Sequence, residues 1–143
     1  MKLLKKISFA LVIASMLFVA CNKDDDENNE PENVKSYTGI TDQDYAVQFQ
    51  TGEINNTLYL LKYDLTVVYS SQQGTNTQEL ELYKSEGITK IENNKFEVDL
   101  SVESSYIKGN FSQQMDSLTG QYSYKFSQSD TVISGQFWTL KTP

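Results

Sequence analysis

The chain has 143 residues, a formal net charge of −7, no histidine, no arginine and one cysteine. Serine–histidine and cysteine–histidine nucleophiles and histidine-ligated zinc are thereby excluded, and no glycine motif supports nucleotide binding. Beyond Cys21 nine lysines face nineteen acids, a formal −10, which argues against nucleic acid and anionic membrane as partners, since both need cations to neutralise phosphate.

The chain begins with a positive stretch carrying Lys2, Lys5 and Lys6, followed by an unbroken apolar run from Ile7 to Ala20. At ~1.5 Å per residue that run falls short of the ~30 Å hydrocarbon core, so it predicts a secretory signal rather than a permanent span. Leu17-Phe18-Val19-Ala20-Cys21 resembles the lipobox of bacterial lipoproteins, with Phe18 where leucine is usual. That resemblance implies cleavage after Ala20 and acylation of Cys21, and hence a membrane partner held through lipid. A cysteine left over in an exported chain can also pair between molecules. The position of Cys21 directly after the apolar run favours the lipid.

Residues 21–36 are expected to form an acidic tether. Lys23, Asp24, Asp25 and Asp26 resemble the export signal that sends lipoproteins of one group of Gram-negative bacteria to the outer face of the outer membrane. The resemblance implies a chain anchored there and facing the exterior, with the periplasmic face as the alternative. Asp24, Asp26 and Asn28 alternate like the start of a calcium loop, but the glycine and closing glutamate of such a loop are missing. Neither a metal nor a cofactor is expected.

From Tyr37 to the end the hydrophobic period is two, which predicts a single all-β domain over 37–143. Tyr45, Val47 and Phe49 alternate with polar neighbours up to a turn at Asn55-Asn56, residues that tolerate positive φ. Leu58–Tyr69 is predicted as one long strand with Tyr59, Leu61, Tyr63, Leu65, Val67 and Tyr69 on its buried face. A polar loop is expected over Ser70–Asn76, then a strand with Leu80 and Leu82. A second asparagine pair, Asn93-Asn94, precedes a strand predicted to alternate from Phe96 to Glu103.

The last third repeats an aliphatic-x-Gly-x-aromatic pattern as Ile107-Gly109-Phe111, Leu118-Gly120-Tyr122 and Ile133-Gly135-Phe137. Each set lies on one strand face, and an interior glycine is tolerated when a cross-strand aromatic covers it. Three antiparallel strands with aromatics over glycines are therefore expected. Together with Ile91-Glu92-Asn93-Asn94-Lys95-Phe96, Tyr37-x-Gly39 and the terminal Ser134–Lys141, these strands resemble a recurrent small β module of bacterial extracellular proteins, which has no assigned activity. The expected architecture is an antiparallel β-sandwich of about eight strands, with a lipocalin-like up-and-down barrel as the alternative.

Carboxylate catalysis is the one enzymatic chemistry left open. Its best candidate, Asp64, is more simply an ion-pair partner for Lys62 on the same strand face, so no enzyme is expected. Trp138 is out of phase with Phe137, so one of the two must leave the core. An outward Trp138 offers a contact for sugar or protein, unless a second sheet face or the tether covers it. Asp116-Ser117-Leu118 and Asp130-Thr131-Val132 resemble an O-glycosylation sequon of the same bacterial group, implying sugar on Ser117 and Thr131; both triplets are also ordinary turn sequences. The expected function is a surface lipoprotein that binds an unknown protein or glycan without catalysis. The alternatives are an inhibitor or immunity-type lipoprotein blocking a hydrolase or toxin, and a structural accessory subunit of an outer-membrane complex.

Overall fold

The computed structural model describes residues 30–81 and 88–143. The signal, Cys21, the export-like run and Leu82 lie outside the described residues. Nine strands follow one another: β1 (Glu32–Thr41), β2 (Ala46–Ile54), β3 (Thr57–Ser71), β4 (Gly74–Glu81), β5 (Thr89–Lys90), β6 (Lys95–Asp99), β7 (Tyr106–Phe111), β8 (Ser117–Phe126) and β9 (Thr131–Lys141). β1 starts at Glu32, so residues 32–36, expected in the tether, belong to the sheet.

The fold is all-β and antiparallel, as the alternation predicts. Eight strands in the order β4-β3-β2-β1-β9-β8-β7-β6 make one sheet curled into a half-barrel. Two meanders, β1–β4 and β6–β9, are joined where β1 pairs with β9. Their inner faces meet as the layers of a sandwich do: Phe49 of β2 lies 5.9 Å from Phe96 of β6, and Tyr37 of β1 lies 5.1 Å from Phe111 of β7. On the far side the two-residue β5 pairs with β3, while β4 and β6 leave a seam between them. Glu79, Glu81, Glu97 and Asp99 line that seam.

Local chemistry sets the turns. Asn55 and Asn56 have φ of 50° and 58°, and Asn93 and Asn94 have 51° and 62°. Two successive left-handed residues give the two-residue hairpin whose twist matches its strands, and asparagine adopts that conformation more readily than most side chains. At the β1–β2 turn, Gln43 substitutes for a missing strand. Its amide donates to Val68 O at 2.7 Å and accepts from Val68 N at 3.1 Å, beyond the point where β2 stops covering β3.

Three expectations are corrected. The polar loop expected over Ser70–Asn76 shrinks to a turn at Gln72 and Gln73, with Ser70 and Ser71 in β3 and Gly74–Asn76 in β4. In β3 the register slips between Gln50 and Thr51 of β2, leaving Leu61 as an extra, bulged residue. A bulge shifts the side-chain phase by one, so Leu58 and Leu60 take the inner face while Tyr59 and Leu61 leave it. Leu61 is still buried, against Gly52 and Pro31 on the outside. The strand predicted to reach Glu103 ends at Asp99, where Leu100 N donates to Ser105 O and Ser104 turns left-handed at φ 62°. Alternation persisted there in the sequence, but among the described residues no neighbouring strand accompanies it.

The repeated glycines behave as expected. Phe96 pairs with Gly109, Phe137 with Gly120, and Tyr122 with Gly135. Each ring occupies the space a Cβ would need, most tightly where Phe96 covers Gly109, so no larger residue fits while the rings stay in place.

Candidate functional site: the outward groove at Trp138

Inward residues of β6–β9 alternate with outward ones, and cross-strand pairing aligns the outward residues into rows. Lys95, Asn110, Thr119 and Trp138 form one row across four strands. Glu97, Lys108, Gln121 and Gln136 form the next. With strands ~4.8 Å apart, the rows extend about 14 Å across the sheet and lie about 7 Å apart along it. Together they line an open groove of about 850 Å³ that also reaches the backbone of Gly109 and Gly120, a volume within the ~300–1,000 Å³ typical of small-molecule sites.

Trp138 is 47% exposed and Phe137 1%. The phase conflict read in the sequence is thus resolved with the phenyl ring inside and the indole outside. Ile40 of β1 lies directly beside Trp138, and Leu140 is two residues along on the same face; both are exposed. Asn110, Thr119, Gln121 and Gln136 make no side-chain hydrogen bond among the described residues. Their donors and acceptors face solvent.

The charges in the groove are mostly paired. Lys108 Nζ lies 2.8 Å from Glu97 and also 4.5 Å from the Tyr106 ring centroid, and Lys90 lies 2.8 Å from Glu92. The hydrogen bond that each lysine donates to its carboxylate holds the lysine more basic than usual, and Lys90 in turn keeps Glu92 more acidic. Lys95 is in no ion pair among the described residues.

The other candidate residues are scattered. Ser117 opens β8, and its hydroxyl donates to Asp116 Oδ1 at 3.1 Å. Thr131 opens β9, and its hydroxyl donates to Ser129 O at 3.3 Å. Each is a half-buried turn residue with a local partner, and neither reaches the groove. Asp64 and Lys62 share the outer face of β3 without forming the expected ion pair. Among the described residues no three carboxylates or other ligating groups gather to hold a metal ion.

Sequence reasoning singled out Trp138 but missed Lys95, Asn110, Thr119 and Gln121. The signal was present in the register. Centring the hairpins on Asn93-Asn94 and on the two polar turns that follow aligns those residues with Trp138. The fold and groove thus define a small all-β half-barrel with a polar, aromatic-walled outer surface. Compared with known family models, curated proteins and solved structures, the chain matches none.

Proposed function

We propose that this protein is a lipid-anchored binding module displayed at the outer membrane, with the Trp138 groove as its ligand contact and no catalysis of its own. The observation that carries the reading is an exposed indole beside amide and hydroxyl side chains that have no partner among the described residues. Large aromatic faces are costly to leave in water and gain most from an apolar face set against them, while unbonded amides give direction to the contact. The anchor rests on the lipobox-like run ending at Cys21.

Three measurements test it. Cys21→Ser should release the chain or leave it unprocessed, and protease added to intact cells should digest the wild type. Trp138→Ala should abolish retention of the full-length chain on its ligand among arrayed glycans and surface proteins. Retention equal to wild type would remove the groove as the contact.

A second reading, an inhibitor that blocks a basic enzyme, is favoured by the four carboxylates lining the β4–β6 seam. It requires a one-to-one complex that weakens steeply with salt and that survives Trp138→Ala.

A further inference from the structure

The distribution of charge narrows the ligand class, on the footing that the groove is the binding contact. The described residues hold seven lysines and fourteen acids. The groove takes three of those lysines (Lys90, Lys95 and Lys108) but only two acids, Glu92 and Glu97. It therefore carries one net positive charge, while the rest of the described protein carries −8.

Surface charge spread without purpose would give the groove the same acidic excess as its surroundings. Instead, two lysines are held by carboxylates at 2.8 Å, and the third, Lys95, is in no ion pair among the described residues and lies at the opposite end of the row from Trp138. An ammonium and an indole at the two ends of a row about 14 Å long are bridged by Asn110 and Thr119, with Gln121 and Gln136 alongside. Hydroxyls suit the amides, the C–H face of a ring suits the indole, and an anion suits Lys95.

We infer that the groove binds an anionic oligosaccharide: an extended chain of a few sugar rings, one ring stacked on Trp138 and an acidic substituent, carboxylate or sulfate, on Lys95. The acidic remainder of the surface repels the same chain elsewhere, whereas the two carboxylates of the groove, Glu92 and Glu97, are already neutralised by Lys90 and Lys108. Lys108 and Lys90 supply longer-range attraction but keep their own partners.

The test uses the full-length chain in detergent, titrated with oligogalacturonate, hyaluronan and heparin oligomers, methyl-esterified oligogalacturonate and a neutral cello-oligosaccharide. At least one acidic oligomer should bind. Lys95→Gln should weaken it about tenfold, the scale of losing one charge-assisted hydrogen bond. Trp138→Ala should weaken it at least as much, and Lys62→Gln, outside the groove, should not. Where the carboxylated oligomer is the one bound, its methyl ester should lose affinity in step with Lys95→Gln. Equal binding of neutral and acidic sugars, with Lys95→Gln silent and Trp138→Ala damaging, overturns the anionic assignment and leaves the groove reading standing. No acidic oligomer bound overturns it as well. Binding that ignores Trp138→Ala overturns both.

Discussion

The two faces of the β6–β9 meander are built from the same strands and turns, yet they answer to different physics. The inner face is made of glycines and rings that occupy one another's space: Phe96 over Gly109, Phe137 over Gly120, Tyr122 over Gly135. Its neighbours decide each residue. The outer face carries Lys95, Asn110, Thr119, Gln121 and Gln136, which touch little and are replaceable as far as folding is concerned. Side chains that the fold does not require are the ones available for recognition.

The sharpest way to break this contrast is at two adjacent residues. Phe137→Ala should cost about 3–5 kcal/mol, since the ring is fully buried and lies 4.7 Å from Phe49. Trp138→Ala should cost less than about 1 kcal/mol, as expected for an exposed side chain. Urea denaturation of the two variants measures both. Equal losses would mean that the indole supports the fold and is not free for a ligand.

A smaller effect concerns pH. The Tyr122 hydroxyl donates to Asp42 Oδ1 at 2.9 Å across the β1–β9 junction. Burial first, then the Asp42 hydrogen bond, raises its pKa well above the usual tyrosine value of 10.0. Because the folded value exceeds the unfolded one, the neutral phenol stabilises the fold fully below pH ~10, and that contribution is lost as pH rises through the unfolded and then the folded value. Thermal unfolding should therefore show a Tm that falls above pH ~10. Tyr122→Phe should flatten the fall, leaving the part due to Tyr37, whose burial also raises its pKa. An identical alkaline profile in the variant would show that Tyr122 is not held neutral.

The smallest effect has the opposite sign. Thr51 is buried in β2, and among the described residues its hydroxyl makes no hydrogen bond of good geometry, although it lies close enough to the Tyr37 hydroxyl to offset part of the rise in that phenol's pKa. The neighbouring Tyr37 hydroxyl donates instead to Met115 O at 3.1 Å. Thr51→Val keeps the shape and removes the orphaned oxygen, so it should stabilise by about 1 kcal/mol, read as a higher urea midpoint with an unchanged slope. Destabilisation would mean that the hydroxyl has a partner, such as a bound water.

Much of the inner face was legible in advance. Period two gave the strands, paired asparagines gave the hairpins, and the Gly-x-aromatic spacing gave the ring-over-glycine packing, because all three are constraints between residues close in sequence or one hairpin apart. Leu61 was misassigned because a bulge is settled by the facing strand: nothing in Leu58–Tyr69 itself says which residue Gly52 will accommodate. The strand expected to reach Glu103 failed for a related reason, since alternation marks a capacity to pair and not the presence of a partner.

By itself, then, the sequence determined the all-β class, the asparagine turns, much of the inner ladder and the opposite phases of Phe137 and Trp138, each a consequence of backbone geometry acting over a few residues. Only the tertiary structure decided that the first and last long strands pair, that the sheet curls without closing at β4 and β6, and that Lys95 shares a row with Trp138. Those depend on which distant strands become neighbours, and that is chosen by the burial of the whole set of rings at once.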